Sequence, residues 1–139
     1  CLLLFSIQFA LSQEWKSDFS DALTAAQDLN KPIVLVFSGS DWCAPCIRFK
    51  RKIFDSTDFL EYAEKHYVLF NADFPRKKKN QLAQDKLNVN ISLAERFNPK
   101  GYFPLVVVLD QKEKVLGVTD FDPKKTSQEY IRLFNSFLQ

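Results

Sequence analysis

Apolar residues recur at helical spacing between Trp15 and Asn30, where Phe19, Ala22, Leu23, Ala26 and Leu29 fall on one face. Ser17 is placed to cap this first predicted helix, and Asn30-Lys31-Pro32 ends it. The pattern then changes. Pro32-Ile33-Val34-Leu35-Val36-Phe37 is a continuous apolar, β-branched run, which predicts a central strand buried on both faces. Ser38-Gly39-Ser40-Asp41 turns the chain, and from Cys43 a helix is predicted through Ile47, Phe49, Lys50, Ile53 and Phe54. Asp55-Ser56-Thr57-Asp58 interrupts it before a second piece from Phe59 to Lys65, and Tyr67 to Ala72 reads as the next strand.

Arg76-Lys77-Lys78-Lys79-Asn80-Gln81 is the most polar part of the chain and leads into a helical stretch with Leu82, Leu87, Leu93, Ala94 and Phe97, whose internal boundary near Asn88-Val89-Asn90 the pattern leaves open. Asn98-Pro99-Lys100-Gly101 has loop chemistry. Phe103 to Leu109 is a second strong strand with Pro104 at its entry, and Asp110 to Lys114 reads as a hairpin turn into Val115 to Thr119. Thr126 and Glu129 have capping-box spacing ahead of a last helix carrying Tyr130, Ile131, Phe134, Phe137 and Leu138. Strands separated by helices make parallel crossovers, while the last pair makes an antiparallel hairpin. The expected class is α/β, with a mixed central sheet flanked by helices on both faces.

Composition adds bounds. A chain of 139 residues with 46% hydrophobic content can bury a single sizeable core. A formal charge of +2 gives no overall argument for a polyanionic partner, and nucleic acid is not expected as one. Residues 1–12, Cys1-Leu2-Leu3-Leu4-Phe5 through Ser12, have the length of a signal-peptide apolar region and fall short of the roughly 18 residues of a spanning helix. The expectation is a signal-peptide remnant over 1–12, a domain over 13–139, and a periplasmic or secreted protein with no stable membrane span once the leader is gone. Two other readings stay open: an apolar first element of the domain, and a lipid-modified Cys1.

Without the leader the chain holds two cysteines, Cys43 and Cys46. One close pair in an exported protein points to redox chemistry rather than scaffolding. Cysteines at i and i+3 at a helix start lie within one turn, near enough for the Cα separation of about 4.4 to 6.8 Å that a disulfide needs. Cys43 lies where unpaired N–H groups favour an anion, so its thiolate is expected to be stabilised and to act as nucleophile. Cys46, one turn deeper and expected to be less exposed, would attack the resulting mixed disulfide and release product. Pro45 near the helix start sacrifices no needed hydrogen bond and stiffens the loop.

The strand Ile33 to Phe37, followed by Trp42-Cys43-Ala44-Pro45-Cys46 and later by Phe103-Pro104, resembles the thioredoxin superfamily. Phe37 to Cys43 together with Asp73-Phe74-Pro75-Arg76-Lys77 is similar to exported bacterial thioredoxin-like thiol-disulfide oxidoreductases and isomerases. The resemblance spans about Ser17 to Leu138. It implies a thioredoxin-like fold and a cis Pro104 lying against the Cys43/Cys46 pair to dock substrate backbone. Trp42, Ala44, Pro45 and Phe103 join Pro104 as expected substrate-binding residues. Protein thiols or disulfides and a redox partner are the implied partners, with a monomeric protein and no cofactor. Ala44-Pro45 resembles the Gly-Pro of reducing thioredoxins, which favours a potential nearer roughly −270 than −120 mV.

Two departures from the family pattern stand out: Phe37 occupies the position of a buried acid six residues before the nucleophile, and Leu69 that of a lysine in the next strand. Asp41 reads as a solvated loop or capping carboxylate rather than a replacement base. Leu105 stands where threonine is common after the proline, and Tyr102 reads as an extra residue before Phe103. A structural zinc site would need two further ligands, with only His66 and Cys1 to supply them, so no metal is expected. A rival of another class is a thioredoxin-fold binding module whose disulfide is structural.

Overall fold

The computed structural model describes residues 15–139, so the expected leader over 1–12 lies outside the described residues. The elements are α1 (Phe19–Leu29), β1 (Ile33–Ser38), α2 (Ala44–Phe49), α3 (Thr57–His66), β2 (Val68–Asp73), α4 (Gln84–Phe97), β3 (Leu105–Leu109), β4 (Val115–Thr119) and α5 (Ser127–Ser136). A π-helical turn, Lys50–Phe54, continues α2, and a 3-10 turn, Lys78–Asn80, precedes α4. The sheet runs β2-β1-β3-β4. β1 and β2 are parallel, and β3 is antiparallel to both β1 and β4. The expected mixed sheet is what forms.

Every residue of β1 is buried, because helices cover the sheet on both sides and alternate side chains enter opposite cores. Ile33, Leu35 and Phe37 join Phe19, Ala22 and Ala26 of α1 and Leu93 of α4. Val34 and Val36 face Phe49, Ile53, Phe59, Tyr130 and Phe134 on the other side. Phe49 stacks on Phe54 and Phe121, at centroid distances of 4.6 and 4.9 Å. Truncating such a ring to alanine typically costs about 3 to 5 kcal/mol.

The register brings three loops to one end of the sheet. Ser38 pairs with Asp73 and Phe37 with Leu105. The segment leaving β1, the segment leaving β2 and the segment entering β3 therefore meet, at the carboxyl ends of the parallel strands where open α/β sheets place their sites.

The structure corrects several boundaries. α1 begins at Phe19 with Asp18 as N-cap and no side-chain cap bond, so Ser17 does not cap it. Lys16 instead donates its N–H to the Leu69 carbonyl at 3.0 Å, forming an isolated parallel bridge at the open edge of β2, and Trp15 packs edge-on against Phe54. α4 runs unbroken through Asn88-Val89-Asn90, because Asn90 turns inward and donates its side-chain amide to the Asp73 carbonyl at 3.0 Å. β3 starts at Leu105 rather than Phe103.

Candidate functional site

The loop leaving β1 is shaped by Gly39. A Cβ there would collide with the Trp42 indole, so only glycine lets that ring fold back over the turn. The Gly39 carbonyl accepts the N–H groups of Trp42 and Cys43 at 3.2 and 2.9 Å. Cys43 is then the N-cap of α2, and its Sγ accepts the Cys46 N–H at 3.3 Å. Pro45 falls in the first turn, where its missing donor matters least. Cys43 and Cys46 are joined as a disulfide with Cα atoms 5.2 Å apart.

One expectation about the pair does not hold. Cys46 is no more buried than Cys43, each being 5% exposed, because the Gly39 turn and the N–H···S contact draw the first cysteine into the helix end. Residue burial therefore does not distinguish the two cysteines, whereas their positions do: Cys43 is the N-cap and Cys46 lies inside the first turn.

Of the other expected residues, Pro45, Phe103 and Pro104 line one groove of about 790 Å³, which extends past Tyr102 to Phe121. Trp42 borders it through an edge contact with Phe103 at 5.5 Å. Ala44 is exposed beside Pro45 at the start of α2. The Phe103-Pro104 bond is cis, as the resemblance implies. Asn98, 3% exposed, was not singled out in the sequence. It clamps the loop ahead of the proline by donating its amide to the Tyr102 carbonyl at 2.8 Å and accepting the Tyr102 N–H at 2.9 Å. Tyr102, the additional residue, is displayed at 58% exposure.

The segment after β2 is bolted to the cysteine loop. Asp73 accepts the Ser40 N–H and hydroxyl at 2.9 and 2.5 Å, and the Trp42 indole N–H donates to the Phe74 carbonyl at 2.7 Å. Asp41 accepts the N–H groups of Arg76 and Lys77, both at 2.9 Å, and the Asn80 amide at 3.0 Å. The Arg76 N–H above all, helped by Asn80, Lys77 and the Lys77 charge, holds the Asp41 carboxyl below the ordinary aspartate value. It is a loop carboxylate, as the sequence suggests. Arg76 lays its guanidinium 3.7 Å from the centre of the Trp42 ring. Among the described residues no group of three or more His, Cys, Asp or Glu could hold a metal ion.

A family model described as thioredoxin-like matches residues 14–111. The chain belongs to the thioredoxin-like family. It is 33% identical over 114 residues to the disulfide bond reductase DsbH of Chlamydia pneumoniae, covering 82% of this chain and 66% of that protein. A second relative, the thioredoxin-related protein DsbJ of Chlamydia pneumoniae, is 22% identical over 100 residues, with 28% of its length covered. The chain thus spans less than two thirds of these curated relatives. A solved DsbH oxidoreductase superposes with a TM-score of 0.81 at 30% identity, covering 90% of this chain and 83% of that one. A disulphide isomerase from Xylella fastidiosa Temecula1 superposes at 0.63 with 20% identity over 87% and 88% of the two chains, a likeness of fold.

Within that family this thioredoxin-like chain lacks the buried acid and its lysine neighbour: Phe37 and Leu69 are both fully buried apolar side chains. Behind Cys46 and Pro104 lies a cavity of about 300 Å³ whose polar lining includes Ser38 and Asn71. The Ser38 hydroxyl donates to Asn71 Oδ1 at 2.8 Å.

Proposed function

We propose that the protein is a thiol-disulfide oxidoreductase of the bacterial cell envelope, periplasmic or secreted, that works on protein substrates as a reductase or isomerase. The observation that carries this reading is the Cys43–Cys46 pair at the start of α2, with the Cys43 sulfur already accepting a backbone N–H. The same contact stabilises a Cys43 thiolate when the pair is reduced.

In the reducing direction the Cys43 thiolate attacks a substrate disulfide, forming a mixed disulfide and expelling one substrate thiolate. Cys46 loses its proton and attacks Cys43 Sγ, which restores the Cys43–Cys46 bond and expels the second substrate sulfur. Two electrons pass from the dithiol to the substrate, and the two expelled substrate sulfurs take up protons from solvent, which balance those the two cysteines release to it. Pro45, Phe103 and Pro104 would hold substrate in the groove, with Trp42 and Ala44 at its border. With Phe37 and Leu69 apolar, the Cys46 proton has no buried carboxylate to accept it, and solvent is the acceptor. Homology to a disulfide bond reductase supports the reducing direction. The protein acts as a monomer, with a separate redox partner returning it to the dithiol.

The test is Cys43→Ser. The variant is expected to keep the fold and lose reduction of a disulfide-bonded protein by more than about 100-fold, against the intact dithiol. Retained reduction overturns the assignment, and retained partner binding with no redox activity in either protein favours the binding-module reading.

A further inference from the structure

Arg76-Lys77-Lys78-Lys79 does not belong to the mechanism just described, yet the fold places it beside the reactive pair. Asp41, two residues before Cys43, holds the backbone of Arg76 and Lys77 and the side chain of Asn80. Arg76 lies over the Trp42 ring, whose edge contact with Phe103 leads to the groove. All four basic residues are exposed. Among the described residues none forms an ion pair through its side chain, while the Asp41 carboxylate, which holds this loop, accepts three amide N–H donors. Arg76 stacked on an indole keeps its edge N–H groups, which suit a carboxylate bidentately. Four positive charges on a loop anchored to the cysteine loop give that end of the sheet a local positive field, although the net charge of the chain is only +2.

We infer that this loop is a docking surface for substrate proteins whose reactive cysteines are flanked by acidic residues. The inference rests on the oxidoreductase reading and names its partner class. A carboxylate-rich segment entering the site would cross Trp42 and meet Arg76 first, then the lysines of the 3-10 turn. Its attraction acts before any covalent step, so it raises the rate of encounter with Cys43 and is screened by salt.

The experiment uses the pre-reduced protein in single turnover with two peptides that each contain one internal disulfide, alike except for flanking Glu or Lys. The Glu peptide is expected to be reduced about tenfold faster at low ionic strength, with the gap closing near 1 M salt. Lys78→Glu/Lys79→Glu should abolish or reverse the preference while leaving the rate on neutral hydroxyethyl disulfide unchanged. Equal rates for the two peptides in the wild type, or an unchanged preference in the variant, overturn the inference. Binding of the same peptides to the oxidised protein is expected to show the same order, and it decides the matter even if no turnover occurs. Failure to reduce hydroxyethyl disulfide counts against the oxidoreductase reading alone. If the variant instead loses binding to phosphatidylglycerol vesicles or RNA and the two peptides do not differ, the loop serves a polyanion and the inference fails.

Discussion

Asp41 illustrates how one side chain couples two loops. Its carboxylate replaces water for two backbone N–H groups and one amide, which is why its acidity is increased even at the surface. Because its folded pKa is depressed below the ordinary value of 3.8, the stabilisation is present above that value and is lost as pH falls through the folded pKa. Asp41→Ala is expected to speed hydrogen exchange at the Arg76 and Lys77 amides by tenfold or more near neutral pH, with the wild type approaching the variant only in acid below about pH 3.8. Unchanged exchange would mean that these bonds do not hold the loop. The residue scale is also where the sequence was least informative. Asp41 could be recognised as a loop carboxylate from its neighbours, but its partners lie more than 30 positions away. The stacking of Arg76 on Trp42 leaves no local pattern at all, because contacts between loops obey no period.

At the scale of elements, β1 and the Thr126/Glu129 capping box were legible because each has a local cause: a run of β-branched residues, and reciprocal bonds three residues apart. The π turn over Lys50–Phe54 was not. Phe49 and Ile53 share a helical face, whereas Phe54, five positions on from Phe49, would point away in an α-helix of 3.6 residues per turn. The wider turn lets all three rings and chains enter the same core, a demand set by the sheet rather than by propensity. α5 shows a similar tertiary constraint, since the Phe137 ring lies where a Cβ on Gly117 of β4 would be. Gly117→Ala should cost about 1 to 3 kcal/mol in denaturant unfolding, while Val118→Ala next to it, 50% exposed, should stay within about 0.5 kcal/mol. Equal effects would show that the helix does not depend on this close approach.

The whole molecule is a sheet covered on both faces whose register delivers three loops to one end, with the cysteine pair on the first, the basic run on the second and Pro104 on the third. The fold was readable from the order of elements and from Trp-Cys-x-Pro-Cys, and the register then explains how residues 43, 76 and 104 become neighbours of Trp42 or its contacts. The central claim is that Cys43 and Cys46 exchange a disulfide with protein substrates in sequence. The measurement that tests it most directly is covalent trapping by Cys46→Ser in cell-envelope extracts. The second thiol ordinarily resolves the mixed disulfide from within one helical turn, at high effective concentration. Without it, proteins joined to Cys43 should accumulate as adducts that dissolve on adding dithiothreitol, and Cys43→Ser/Cys46→Ser should form none. Proteins held by the variant without any reducible linkage would contradict the account.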